Sequence, residues 1–416
     1  MLFLSKLENS VMTIKIGVIR EGKVPPDKRV PLSPKQCKAV EKKFPSVQVV
    51  VQKSPIRAFT DEDYQKEGIR VVDDLHDCDY IFGVKEVNIA DLIPNKHFFF
   101  FSHTIKQQPY NRKLLQAILE KKITLTDYEV LTDENGLRLI GFGRYAGIVG
   151  CYNGFRTYGI KSKRYDLKPA NQCFDRVEME AELKKVSLPN DFKVVLTGFG
   201  RVGLGAREVL ALLPIKEVSA NDFLTKSFDT PVFTQLNVDD YTEREDGKPF
   251  NRSAFYKDGS NHRSTFMNYL EVADVYIACH FWKSGAPFLV TREDLKKPTI
   301  KTKVVADISC DIDGPVACTI RPSTIADPIY GYHPIQEKEV DVMDEEAIAV
   351  MAVDNLPCEL PRDASEDFGN ELIKNILPAL LGEDPAHIIA RGTETNKDGK
   401  LTSYFSYLED YVANKA

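Results

Sequence analysis

The chain lacks any apolar run near the roughly 20 residues needed to cross a bilayer. Its most apolar stretch, "HFFFF" at 97–101, stops at a serine and a histidine. No membrane partner is expected. It also lacks CxxC pairs and any metal-ligand spacing: Cys37, Cys78, Cys151, Cys173, Cys279, Cys310, Cys318 and Cys358 stand apart. That pattern signals no metal and suits reduced, mostly buried thiols in a cytoplasmic protein. A basic cluster is missing too. With a net charge of -6 and a pI near 5.8, basic residues are interspersed with acids, which argues against a nucleic-acid partner. There is no internal repeat and no low-complexity segment. The opening "MLFLSKLENSVM" has an apolar patch but no adequate signal-peptide core and no small-residue cleavage site, so it reads as a frayed extension before "MTIKIGVIRE".

What is present is a long alternation of strand and helix signals. At 416 residues and 43% hydrophobic, the chain is long enough for two or three domains. "IKIGVIR" predicts a first strand, and "LSPKQCKAVEKKF" a helix with Ser33 as N-cap and Pro34 at its first position. "VQVVVQ", "CDYIFGVKE", the phenylalanine run and "ITLTDYEVL" predict further strands, with "DEDYQKEG" and "NRKLLQAILEKK" as helices between them. Such alternation implies an α/β fold with doubly wound parallel sheets. After the hairpin-like "DENGLRLIGFG", the small residues of "RYAGIVGCYNGFRTYGIK" would let a crossover helix pack closely against a neighbour. A second set follows: "FKVVLTGFG", "KEVSAND", "ADVYIACH", "TKVVADISCD" and "IAVMAVDN". The tail "DASEDFGNELIKNILPALLG" predicts an amphipathic helix, begun near Asp363 or Ser365, that returns to the first domain. The expected division is 1–143 with about 358–416 as a discontinuous substrate domain, and 144–357 as a dinucleotide-binding domain.

"VVLTGFGRVGLGA" sets Gly198, Gly200 and Gly203 between a β-branched strand and a helix. In a dinucleotide site the first glycine makes the tight turn and the second lets a pyrophosphate approach the backbone. The helix N-terminus then supplies free N–H groups. An acidic residue about 20 positions on would take the adenosine ribose hydroxyls. Asp222 has that spacing, and since no basic residue follows at once, NAD is preferred over NADP. Asp222 also suits an N-cap role for a short helix.

Charged residues of the first half gather at predicted strand ends: Arg29, Lys85, Glu86, His103, Lys106, Glu129 and Arg138. In open α/β sheets the loops at the carboxyl ends of strands form the ligand crevice. Arg29 and Arg138 suit bidentate carboxylate binding, and Lys106 adds a point charge. Lys85 and His103 are residue types that transfer protons near neutrality when burial and neighbouring cations tune them, with Glu86 and Glu129 to orient them. A substrate carrying two or more carboxylates would fit.

These segments, in order, resemble the alanine dehydrogenase and saccharopine dehydrogenase superfamily: "REGKVPPDKRVPLSP", "GVKEV", "FFFFSHTIK", "DYEVLTDENGLRLIGFGRYAGIVG", "TGFGRVGLGA", "ADISCDIDGP" and "VDNLPCELPRDASEDFG". Within it, "FFSHTIK", "DYE" and the "GFGRYAG" helix are similar to lysine-forming saccharopine dehydrogenases and the lysine-ketoglutarate reductase domain. The resemblance implies two Rossmann-like domains flanking a cleft, with NAD(P) on the second. It implies reversible oxidation of saccharopine, through an imine, to lysine and 2-oxoglutarate. Lys85 and His103 match the acid–base pair. Arg29, Lys106 and Arg138 match carboxylate-holding positions, and Glu86 and Glu129 modulators. Gly198, Gly200, Arg201, Val202, Gly203 and Asp222 match the cofactor loop and ribose position, while Asp311 and Asp354 match positions at the nicotinamide end. The segment "DDYTEREDGKPFNRSAFYKDGSNHRSTFMNYL" is closer to the reductase domain. The alternatives are an alanine dehydrogenase, which holds one small carboxylate, and a non-catalytic NAD-binding module.

Overall fold

The computed structural model describes residues 13 to 415, and the opening segment expected as a frayed extension lies outside the described residues. The chain divides into two compact units. One holds the described residues up to Gly141 together with those from Pro361 on, and the other is Phe142–Leu360.

The first unit is built on a seven-stranded sheet. Its parallel members are β1 (Ile14–Val18), β2 (Val47–Gln52), β3 (Arg70–Val72), β4 (Tyr80–Phe82), β5 (His97–Phe100) and β6 (Thr124–Asp127), in the order 6-5-4-1-2-3. A C-terminal strand, Thr393–Thr395, adds antiparallel to β6. The phenylalanine run is β5, and Phe98, Phe99 and Phe100 are all 0% exposed. Each contributes roughly 1.5–3 kcal/mol by leaving water, which fixes the strand and hence where it ends. Phe99 stacks on Phe82 of β4 at 4.5 Å between ring centroids. The helix Pro34–Lys43 starts at Ser33 as expected. The tail helix Pro361–Glu371 packs on it, with Gln36 Nε2 donating to the Glu366 carbonyl at 2.7 Å and to Asn370 Oδ1 at 2.9 Å.

The second unit carries an eight-stranded sheet. Its strands are β7 (Lys193–Thr197), β8 (Lys216–Glu217), β9 (Val232–Leu236), β12 (Val275–Ala278), β13 (Val304–Asp307), β14 (Ile329–His333), β15 (Lys338–Val340) and β16 (Ile348–Met351). A separate hairpin pairs β10 (Thr242–Arg244) with β11 (His262–Ser264). The large sheet runs 15-14-16-13-12-7-9-8, antiparallel only where β14 and β15 join. The helix Gly143–Ser162 lies against the helix Arg201–Leu210 as its small residues suggested. A Cβ at Gly147 would stand 1.9 Å from the Val202 carbonyl oxygen, and one at Gly205 2.0 Å from that of Arg144. The β14–β15 hairpin, the β10–β11 hairpin and β9 were not anticipated from the sequence.

Candidate active site

In the first unit the carboxyl ends of β1, β4, β5 and β6 deliver the charged residues singled out in the sequence. β1 runs into "REGKVPPDKR", where Arg29 is 2% exposed and held in a fork by Asp27: Nη2 to Oδ2 is 2.6 Å and Nε to Oδ1 is 3.1 Å. Burial alone would raise Asp27, but the Arg29 guanidinium outweighs it and holds the carboxyl down at about 2. β4 runs into Lys85 and Glu86. The backbone N–H groups of Val84 and Lys85 both donate to the Glu21 carboxyl, at 2.7 and 2.9 Å, which pins the turn that carries Lys85. Burial, then the charge of Asp27, pushes Glu21 up to about 8. The Lys85 ammonium is half-buried and makes no ion pair among the described residues; burial, then Arg29 and Lys23, lowers its pKa. An ammonium so placed gives up its proton more readily than a solvated one.

β5 ends at Phe101 and Ser102, and His103 follows in a left-handed conformation with φ of 55°. Its Nδ1 lies 2.5 Å from Glu86 Oε1, while Glu86 Oε2 accepts from Lys23 Nζ at 3.1 Å. Burial would raise Glu86, but the hydrogen bond with His103 and the charges of His103 and Lys23 hold it at about 2. Glu86 is thus an ionised anchor that fixes the imidazole. After β6, Glu129 Oε1 is shared by Lys106 Nζ at 3.5 Å and Arg138 Nη2 at 3.2 Å, and both cations are 47% exposed at the side chain. The "DENGLRL" turn that carries Arg138 is a hairpin, with Thr132 bridged to Arg138.

The structure therefore brings Arg29, Lys85, Glu86, His103, Lys106, Glu129 and Arg138 to one edge of a single sheet. Sequence reasoning missed Glu21, Lys23 and Asp27, which hold Lys85, Glu86 and Arg29. The available signal was their place in the same strand-end segment. Lys23, Arg29, Lys85, Lys106 and Arg138 outnumber Asp27, Glu86, Asp127 and Glu129, with Glu21 pushed up to about 8, so the edge carries a surplus of positive charge.

In the second unit, β7 feeds the glycine turn. Gly198 has φ of +91°, and a Cβ there would stand 2.3 Å from the Cys279 carbonyl oxygen. Gly200 is the N-cap of the helix Arg201–Leu210, and a Cβ there would meet nothing within 4 Å. A tight turn, an open face and a helix N-terminus are what a pyrophosphate requires. Arg201, Val202 and Gly203 form the first helical turn beside it. Asp311 and Asp354 follow β13 and β16 on the same carboxyl edge, and burial, then Asp307, raises Asp311.

Asp222 is not brought to this turn. It follows β8, a two-residue strand at the outer edge of the sheet, and β9 intervenes between β8 and β7. Its carboxylate pairs with Lys226 at 3.0 Å, and it sits in the first turn of a short helix whose N-cap is Ser219. The strand beside the glycine turn is β9. Gly198 N donates to the Leu236 carbonyl at 2.9 Å, and Gln235 Nε2 donates to the Gly198 carbonyl at 2.7 Å. β9 is followed by Asn237, Val238, Asp239 and Asp240. Close by, a cavity of about 210 Å³ is lined by Val238, Tyr241, Phe255, Phe281, Trp282 and Lys283, among others.

Two family models match the chain: "Alanine dehydrogenase/PNT, N-terminal domain" over residues 17–149 and "Alanine dehydrogenase/PNT, C-terminal domain" over residues 189–394. An alpha-aminoadipic semialdehyde synthase of Arabidopsis thaliana is 28% identical over 97% of this chain but only 42% of its own length. The chain thus spans less than half of that relative. A saccharopine dehydrogenase [NAD(+), L-lysine-forming] of Schizosaccharomyces pombe is 26% identical over 90% of this chain and 95% of its own. Among solved structures, an L-alanine dehydrogenase superposes with a TM-score of 0.63 at 18% identity, covering 97% of this chain and all of its own, a likeness of fold. Among the described residues no helix is long and apolar enough to cross a membrane, and no group of side chains is placed to hold a metal ion.

Proposed function

The chain belongs to the alanine dehydrogenase/PNT family, and from that premise we propose that it oxidises the C–N bond of saccharopine, or a close relative, reversibly to lysine and 2-oxoglutarate. The observation that carries this reading is the strand-end set itself: a half-buried lysine free of ion pairs, a carboxylate-anchored histidine, and a surplus of cations spread over several strand ends. One small carboxylate would not need Arg29, Lys106 and Arg138 together. A substrate with several carboxylates would.

Each residue has a distinct task. Asp27 fixes the Arg29 guanidinium so that its fork meets a substrate carboxylate without reorganising. Lys106 and Arg138, tethered by the single carboxylate of Glu129, keep net positive charge toward solvent for a second one. Lys85 Nζ, lowered by burial, takes the proton of the secondary amine as the C–N bond is oxidised. His103, fixed through Nδ1 by Glu86, presents its other ring nitrogen to the water that adds to the imine carbon and then returns a proton to the departing amine. The dinucleotide supplies the hydride acceptor. Gly198, Gly200, Arg201, Val202 and Gly203 would hold its pyrophosphate, and Asp311 and Asp354 lie on the same carboxyl edge as candidates for its nicotinamide end. The end of β9 and the cavity beside it, with Trp282 and Phe281, suit the adenosine half. Asp239, which pairs with Arg252 at 2.6 Å, and Asp240 offer carboxylate acceptors to the ribose hydroxyls, and on these we take the cofactor to be NAD.

The test is the loss of NADH absorbance, and in parallel of NADPH, on adding lysine and 2-oxoglutarate, with alanine-dependent NAD reduction as control. Oxidation of NADH only when both are present is expected. Alanine turnover without it would overturn the proposal in favour of the smaller substrate, and dinucleotide binding without turnover on any pair would leave a binding module.

A further inference from the structure

Behind the His103 turn lie two carboxyls that the sequence does not connect. Asp127 ends β6, and Glu394 lies on the C-terminal strand antiparallel to it. Both are 0% exposed. Neither is in contact with a lysine, arginine or histidine among the described residues; their partners are hydroxyls, backbone N–H groups and one another. Ser102 Oγ is 2.5 Å from Asp127 Oδ2, Thr104 Oγ1 is 2.6 Å from Glu394 Oε2, and the two hydroxyl oxygens are 2.6 Å apart.

Oxygens this close need a proton between them at each of the three contacts. The two hydroxyls own two protons. The third must sit on a carboxyl. Asp127 also accepts the backbone N–H of Ser102 at 2.9 Å and of Glu129 at 2.6 Å, donors that favour its ionised form, whereas among the described residues no backbone N–H donates to the Glu394 carboxyl. The added proton therefore belongs to Glu394. We propose that Glu394 is a protonated carboxylic acid that heads a hydrogen-bond chain through Thr104 and Ser102 to ionised Asp127, and that this chain is the positioning device for His103. Burial raises both carboxyls, but the Ser102 and Glu129 donors act against it at Asp127, whereas Glu394, with the charge of Asp127 beside it, is raised well above the usual carboxylate range.

His103 stands between Ser102 and Thr104 in a left-handed conformation, uncommon for a residue other than glycine, so its setting depends on how its neighbours are held. The chain grips both neighbours, and Asp127 grips the Glu129 backbone as well. Removing the proton leaves two buried charges with one contact lacking a hydrogen, and the turn loses its clamp. The titratable groups facing the pair are Tyr128 and Glu129 at the end of β6 and Tyr407 and Tyr411 of the C-terminal segment, none of them a cation.

The inference rests on His103 as a proton-transfer group, but part of its test does not. Infrared difference spectra of wild type minus E394Q at neutral pH should show the carbonyl band of a protonated carboxylic acid, and no such band would overturn the assignment. E394Q keeps a donor toward Thr104, so its kcat should stay within about twofold. E394L and T104V, which break the chain, should lower kcat on the order of tenfold to a hundredfold with dinucleotide affinity unchanged. E394Q failing as badly as E394L would overturn the chain, and E394L and T104V retaining kcat would overturn the positioning role. T104V keeps the side-chain shape and serves should E394L not fold. If wild type shows no turnover with lysine and 2-oxoglutarate, the proposed reaction falls. The infrared band still decides the acid, and the His103 imidazole resonances, unmoved in E394Q and displaced in T104V, still decide the positioning.

Discussion

In the proposed reaction the first unit acts through side chains and the second through backbone. At the ends of β1, β4, β5 and β6 the shape of the site depends on ion pairs: Asp27 with Arg29, Glu86 with His103 and Lys23, Glu129 with Lys106 and Arg138. At the end of β7 it depends on where a Cβ is missing, and the open face at Gly200 has no counterpart among the charged residues. Substitutions should therefore separate the two units. Side-chain changes in the first ought to remove turnover and spare dinucleotide binding, while a single methyl group in the second ought to do the reverse.

The largest effect is expected at the proton-transfer pair. H103Q and K85M should each lower kcat by about a hundredfold to ten-thousandfold, with dinucleotide affinity, read by nucleotide fluorescence, unchanged. A matching loss of affinity would break the contrast between the units. Next comes the glycine turn. G200A puts its methyl group into open space, so the melting midpoint should hold while the dinucleotide Kd rises on the order of tenfold, the cost of one lost hydrogen bond to a charged group. G198A should lose binding and also several degrees of melting temperature, because its Cβ meets the Cys279 carbonyl at 2.3 Å and its φ is +91°.

A smaller effect sharpens the electrostatic side. Glu21 has its folded pKa raised from 4.5 to about 8 by burial, then by Asp27. Between those values the unfolded chain has released the proton and the folded chain retains it, so stability falls as pH rises through that window. E21Q removes the ionisation. Its melting midpoint relative to wild type should climb from pH 4.5 to about 8 and level off beyond. A flat difference would mean that Glu21 is ionised in the fold. The same logic reverses for Glu86, held at about 2: its contribution is present above the ordinary carboxylate range and lost as acid is added.

How much of this was legible follows from the same contrast. Strand ends can be read from one sequence when the strand is a dense apolar run, as "HFFFF" is, and the residues that leave it inherit a position at the sheet edge. Lys85, His103 and Glu129 were found that way. What holds them was less visible. Asp27 lies two residues from its partner, but Glu394 reaches Ser102 from the far end of the chain, and no local pattern announces a strand as short as Thr393–Thr395. The glycine turn was legible because it is local. The strand beside it was not, since the count of residues from the glycine turn points to "KEVSAND" and not to "VFTQL".

That omission yields the smallest predicted effect and the most direct check on topology. Spacing along the chain favoured Asp222 for the ribose, whereas sheet order favours the end of β9, because β9 lies against β7 and β8 does not. D222N should leave the NAD Kd within about twofold, since β9 stands between its strand and the glycine turn. The double substitution D239N/D240N should raise the Kd on the order of tenfold, as removal of a charged hydrogen-bond acceptor does. Equal losses in both would mean that the short helix after β8 bends back to the nucleotide. A loss in D222N alone would return the ribose to the position that counting residues had chosen.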